Sequence, residues 1–331
     1  MRHTAMRLLL ASLLCVVGGC EKSQAEAPPP PRPRPAGPGL TIGVSVPAAD
    51  HGWTAGVGWW ARRAMEMYGD VNWVYATAVG PEKQIADIKD MMAQQKLDGL
   101  VVLATESAPL TPVAEEAHRN GIYLVSVDRG FLKPVADLFI EGDNEAFGRK
   151  AAEFIVEKLD GRGNIVVLEG IPSTVNTDRV DAALEVFEAH PGVKLLGRQP
   201  GMWNREKAHE VMKNFLTQFG DIDAVWAADD DMALGVEQAL DEAGADASVW
   251  IVGGGGMKEV VRKVMDGHPR YPVTITYPPS MIAVGIHMCV SNLRDGRAER
   301  LAEFMPRHVK LDVELVTPEN ARDYYFPDSV Y

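Results

Sequence analysis

The chain has 331 residues, enough for one large domain or two ordinary ones. It is 46% hydrophobic and 24% charged, which excludes a wholly disordered chain, a collagen-like fibre and a polytopic membrane protein. The formal net charge of −13 leaves no basic excess for a nucleic-acid face, and three cysteines make neither a zinc array nor a dense disulfide framework.

The chain opens with Arg2 and Arg7 ahead of the apolar run Leu8–Val17. That run is shorter than the ~20 residues a membrane-spanning helix needs, and it fits the apolar segment of a secretory signal covering residues 1–19. The stretch Val17-Gly18-Gly19-Cys20 resembles the lipobox of bacterial lipoproteins, which implies acylation at Cys20 and a lipid-anchored protein of the periplasm. Ordinary cleavage near Gly19, giving a free periplasmic protein, is the alternative. Residues 20–39 are dense in proline, favour extended polyproline II and read as a semi-rigid spacer rather than part of a core.

From Leu40 onward apolar strands alternate with amphipathic helices. Strands are expected at 40–46, near Tyr75, at 100–103 and at 122–127, with helices at 54–68, around Ile85–Met92 and at 110–119. Nearly continuous apolar strands of this kind mark a parallel sheet covered on both faces. The pattern then restarts, with Asn144 read as the cap of a helix that buries Phe147, Ala151, Ile155 and Leu159. Strands follow at 165–168, 193–196, 224–226, 249–252 and 273–276, separated by helices at 178–189, 205–217, 231–243 and 257–266. A helix at 280–294, in which Cys289 is a small buried hydrophobe, and a final strand at 309–316 complete the chain.

Two sets of similar size predict an α/β protein of two lobes, with the first crossing at Glu141–Asn144. The N-terminal lobe is placed at 40–141 plus about 278–306, and the C-terminal lobe at 142–277 plus about 307–331. Ligands of open α/β sheets collect at the carboxyl ends of strands, so the loops there carry the functional expectation. Those loops hold Asp50, His51 and Trp53, then Glu106, then Asp128 and Arg129, then Asn176, Trp203, the run Asp229–Asp231 and Tyr277. Aromatic faces, carboxylates, an arginine and amides suit a neutral polyhydroxylated ligand, whose C–H face packs on an indole while its hydroxyls pair in plane. Each tryptophan taken alone also fits a core, and His51 is open between ligand contact and loop hydrogen bond. Asp229 is read as a ligand contact, Asp230 and Asp231 mostly as helix caps.

Enzyme signatures are absent from this pattern. Gly253–Gly256 has no following Lys-Ser/Thr and is no P-loop, and neither a Gly-x-Ser-x-Gly elbow nor His-Glu-x-x-His occurs. No cofactor and no metal are expected.

From about Leu40 to Thr317 the sequence resembles the periplasmic sugar-binding proteins of ABC transporters, in the ribose-binding-like (type I) group. The stretches that carry the resemblance are Ala228–Gly235, Val127-Asp128-Arg129, Glu141–Asn144, Ile251-Val252-Gly253 and Gly201–Asn204. It implies two Rossmann-like lobes, each a parallel sheet flanked by helices, joined by a three-segment hinge and closing on a monosaccharide or polyol. It further implies Trp53, with Asp50 or His51, as the first-lobe sugar wall, and Asp128 and Arg129 as a hydroxyl clamp. Trp203 corresponds to the second-lobe aromatic, Asp229 to the acid before the Met-Ala-Leu helix, and Tyr277 to the hinge-proximal polar group. Two positions depart from ribose and galactose binders: Gly255 stands where they carry an aspartate, and Asn176-Thr177 where they carry an arginine.

The resemblance implies a monomer that delivers its ligand to a membrane permease, with no nucleic-acid partner. A sensory protein presenting a sugar or furanose signal to a chemoreceptor or sensor kinase is the second reading, and a sugar-acting enzyme on the same scaffold the third.

Overall fold

The computed structural model describes residues 39–245, 248–294 and 306–331. The signal segment 1–19, Cys20 and all but the last residue of the spacer lie outside the described residues.

The first lobe begins with β1 (Thr41–Pro47), α1 (Gly52–Glu66), β2 (Asn72–Ala78), α2 (Pro81–Gln94), β3 (Gly99–Val102), α3 (Ser107–Arg119), β4 (Tyr123–Val127) and β5 (Leu138–Gly142). β1, β3 and β4 are almost entirely buried, as their unbroken apolar runs require in a sheet covered on both faces. Pro81 opens α2, where a missing amide proton costs nothing.

The second lobe contains α4 (Asn144–Lys158), β6 (Gly163–Glu169), α5 (Thr174–Ala189), β7 (Val193–Pro200), α6 (Arg205–Gln218), β8 (Ala224–Ala227), α7 (Asp230–Glu242), β9 (Trp250–Val252), α8 (Lys258–Met265) and β10 (Thr274–Ile275). Side-chain oxygens of Asp143, Ser173, Asn204 and Asp229 each accept a backbone N–H at the starts of α4, α5, α6 and α7. The chain then returns to the first lobe in α9 (Met281–Arg294), which packs on α1 and on β3, β4 and β5. β11 (His308–Leu311), β12 (Leu315–Val316) and a 3₁₀ turn at Ala321–Tyr324 follow.

Among the described residues the strands form a six-stranded sheet of order β11-β5-β4-β3-β1-β2 and a four-stranded sheet of order β7-β6-β8-β9, both wholly parallel. β10 and β12 form a small antiparallel pair, tied to the end of β9 by isolated bridges at Val252–Val273 and Gly255–Thr276.

Several local expectations change. β5 was not anticipated before the first crossing. The expected strand at 309–316 is two strands in different sheets, because the chain leaves the first sheet after Leu311 and joins the β10 pair at Leu315. Residues 308–311 therefore belong to the first lobe's sheet, and the boundary expected near 307 moves to 312–314. Asp143, not Asn144, caps α4; Asn144 is buried one position later.

Candidate functional site

Strands of both sheets aim their carboxyl ends at the space between the lobes, where the loops after β1, β4, β6, β7, β8 and β9 meet. An inner cavity is lined by His51, Trp53, Asp128, Arg129, Arg179, Trp203, Asp229, Gly254, Gly255, Tyr277 and Tyr331, with Val175. A wider mouth lined by Asp50, His51, Glu106, Arg129, Met202 and Trp203, among others, leads outward from it.

Tyr277, only 3% exposed, forms the centre of the inner wall. Its hydroxyl donates to Asp128 Oδ1 at 2.7 Å, and its backbone oxygen accepts from Trp53 Nε1 at 2.8 Å. Gly142 is required beneath it, since a Cβ there would lie 2.2 Å from the ring. Burial, together with the neighbouring Asp128, pushes the phenol pKa far above its ordinary value, so it remains a hydrogen-bond donor.

Asp128 adopts a left-handed backbone, φ 65°, which an aspartate tolerates better than most residues. That turn folds its carboxylate back toward Tyr277. Arg129 Nη1 donates to the backbone oxygens of Ala104 and Thr105 at 3.1 and 2.8 Å. Its Nε lies 3.6 Å from Asp128 Oδ2 and is buried without a hydrogen-bond partner. The same guanidinium lies 5.5 Å from the Trp203 ring centroid, giving a cation–π contact across the lobes.

Trp203 is the second of two successive left-handed residues, Met202 at φ 61° and Trp203 at φ 51°. The turn drives its indole inward until the residue is 7% exposed, against Gly170, where a Cβ would come within 2.1 Å of the ring. Its Nε1, which lies over Gly170, is buried without a hydrogen-bond partner.

Asp229 caps α7 by accepting from Met232 N at 2.9 Å and also lines the cavity. Burial raises its pKa from 3.8 to about 7, and His51 and Arg179 pull against that rise. Asp230 and Asp231 are not chiefly caps. Asp230 is fully buried, accepting from Thr274 Oγ1 and Met257 N at 2.8 Å each, and it pins the loop after β9 to the start of α7. Asp231 reaches across the cleft: its Oδ2 accepts from Gly52 N, the first amide of α1, at 2.8 Å.

His51 ends the loop before α1, and its Nδ1 donates to Asp50 Oδ1 at 2.6 Å. Burial opposes its charge, but that hydrogen bond and the fields of Asp229 and Asp231 raise its pKa above the ordinary value. The same bond holds the Asp50 carboxyl down at about 2. His51 thus makes the loop hydrogen bond and lines the cavity wall at once.

Three expected contacts stand elsewhere. Asn176 lines neither cavity; its Oδ1 accepts from Gly170 N at 2.6 Å and thereby fixes the strand end on which Trp203 rests. Glu106 and Asp50 line the mouth, not the inner cavity. Arg179 and Tyr331 were both missed. Arg179, on the inward face of α5, is 5% exposed and places its guanidinium 4.2 Å from the Tyr277 ring centroid. It is held there by Asn144 Oδ1 and Ala228 O, each at 3.0 Å. The expected lack of an arginine in this part of the cleft is thus corrected, because the helical turn from Asn176 to Arg179 delivers the cation that the loop itself does not.

Residues 42–297 match the periplasmic binding protein domain family. The chain belongs to that family. It is 30% identical over 235 residues to a D-allose-binding periplasmic protein of Escherichia coli, covering 68% of this chain and 75% of that one. It is 30% identical over 211 residues to a xylitol-binding protein of Mycolicibacterium smegmatis, covering 62% and 60% respectively. The solved fructose-binding periplasmic domain of a hybrid two-component system superposes with a TM-score of 0.74 at 28% identity, covering 86% of this chain and 92% of that domain. Membership agrees with the two parallel sheets and the interlobe cavity. Among the described residues no three His, Cys, Asp or Glu side chains converge in a way that would hold a metal ion.

Proposed function

We propose that this protein is the substrate-binding component of an ABC importer, taking a monosaccharide or sugar alcohol in the interlobe cleft and delivering it to a membrane permease. The observation that carries the reading is the composition of the inner cavity. Trp53, Trp203 and Tyr277 supply aromatic walls, while Asp128, Arg129, Arg179 and Asp229 supply acceptors and donors contributed by both lobes. A ligand gripped from both sides binds the closed form better than the open one and shifts the population toward closure. Relatives that bind D-allose and xylitol support both halves of the ligand class.

Binding, not turnover, is the task in this reading, because the walls serve to orient and desolvate a ligand and the permease performs the transport. The protein works in the periplasm, tethered through acylated Cys20 with the proline-rich segment as spacer. Mass spectrometry of the membrane fraction tests the anchor: Cys20→Ser should lose the lipid mass and release the protein.

The decisive experiment is a thermal-shift screen of the soluble domain, freed of ligand, against pentoses, hexoses, furanoses, pentitols and inositols, with calorimetry on every hit. A single saccharide or polyol that raises the melting temperature and is recovered unchanged is the expected result. A silent panel on folded, ligand-free protein overturns it. A second reading, presentation of the sugar to a chemoreceptor or sensor kinase, is favoured by the likeness to the two-component sensor domain. Ligand-dependent capture of a sensor ectodomain instead of a permease would select it.

A further inference from the structure

Tyr331, the last residue of the sequence, lies in the inner cavity beside Asp229, Arg179, Tyr277 and Trp53. No sequence signal placed it there. The segment before it is fastened to the second lobe: the 3₁₀ turn packs on α8, and Lys258 Nζ donates to the backbone oxygens of Ser329 at 2.5 Å and Pro327 at 3.2 Å. Ser329 Oγ then accepts from Tyr331 N at 3.1 Å. From this anchor the ring reaches over to α1 of the first lobe.

Glycines of both lobes make the space it occupies. A Cβ at Gly52 would meet Tyr331 Cδ2 at 3.0 Å, and one at Gly56 would meet Tyr331 Cβ at 3.0 Å. A Cβ at Gly255 would lie 2.0 Å from Tyr331 Oη. Gly255 also has φ +123°, so the backbone at this point is shaped for a residue without a side chain, and the phenol fills the volume that a side chain would have taken.

The hydroxyl itself is the unexplained part. The residue is 5% exposed, and Oη is buried with no hydrogen-bond partner. Tyrosine hydroxyls at buried positions are normally paired, and an orphan is a standing cost unless another molecule supplies the partner. Burial and the surrounding Asp229, Asp230 and Asp231 hold the phenol firmly protonated, which makes it a donor as well as an acceptor.

We propose that Tyr331 is a specificity-determining ligand contact, its unpaired hydroxyl bonding a hydroxyl of the neutral polyhydroxylated ligand above Gly255. The inference rests on the sugar or polyol reading of the cleft. It adds that one wall of the pocket comes from the segment beyond the last strand, so ligand choice is set there as well as by the strand-end loops.

The test is calorimetry on ligand-free wild type and Tyr331→Phe, with D-allose, D-ribose, xylitol, myo-inositol and glycerol, followed by monodeoxy analogues of the tightest ligand. Tyr331→Phe keeps the ring packing and removes only the orphan oxygen, so the apo melting temperature should hold or rise. Affinity for the tightest ligand should fall about tenfold, the scale of one lost hydrogen bond to a buried group. One deoxy analogue should bind wild type and variant alike, which a merely structural tyrosine would not produce. Unchanged affinity across ligands that wild type does bind overturns the role of Tyr331 and leaves the sugar reading standing. A wild type that binds none of them overturns both.

Discussion

Asp231→Ala should weaken ligand binding from a position where Asp231 lines neither cavity. The carboxylate sits in the second lobe at the start of α7, and its Oδ2 accepts from Gly52 N of the first lobe at 2.8 Å. Gly52 opens α1, so the acid also meets the positive end of that helix. Its other oxygen accepts from Arg205 Nη2 at 3.2 Å within its own lobe, a bond that hinge opening leaves intact. The cross-lobe bond therefore exists only when the cleft is shut. A hydrogen bond to a charged group is worth about 1.5–3 kcal/mol net, and the Asp231 side chain, 9% exposed, lies at the desolvated end of that range. Losing about 2 kcal/mol of closure lowers the closed fraction and raises the apparent Kd ~30-fold if the open form then dominates. Asp231→Asn keeps an acceptor for Gly52 N and should cost several-fold less. Calorimetry gives the affinities, and small-angle scattering of the ligand-free proteins gives the open fraction. Wild-type affinity together with a wild-type scattering profile in Asp231→Ala would refute the closure argument.

Two further outcomes follow from the same geometry. Asn176→Ala should lower the apo melting temperature, since it strips Gly170 N of its buried acceptor at a cost of about 1–3 kcal/mol, with a smaller effect on affinity; selective loss of affinity at constant stability would return Asn176 to the ligand. Ligand-free stability should decline between about pH 4 and pH 7. Burial raises Asp229 and Asp230 from 3.8 to about 7, so across that window the folded state keeps protons the unfolded chain has released. His51, also raised, contributes stability that is full below its ordinary value and is lost as pH climbs through the folded one, which is the same direction. Melting curves at pH 5 and pH 8 check this, with Asp230→Asn expected to flatten the slope; a melting temperature that rises steadily over that range contradicts it.

The strand-end loops were legible because the alternation of apolar runs and helices places them on one side of each sheet. Trp53, Asp128, Arg129, Trp203, Asp229 and Tyr277 all follow from that rule and all line the inner cavity. Arg179 escaped because it lies inside α5 and not in a strand-end loop; only the helix rotation that buries it against Tyr277 turns it to the inner cavity. Asn176 was misplaced for the converse reason: it stands at the loop–helix junction, but its side chain is taken by a backbone amide.

Local sequence determined what each segment is. Hydrophobic period, capping side chains and proline positions act over a few residues, and they set a two-lobed α/β chain with its functional loops. Which lobe a late segment joins depends on pairing with partners far away in the chain. Leu311 and Leu315 read as one strand until β5 and β12's partner β10 draw them to different sheets. The same holds for the contacts that cross the cleft. Asp231 on the α1 amide and the Tyr331 ring against Gly52 and Gly56 exist because two lobes close face to face, an arrangement that no local propensity encodes.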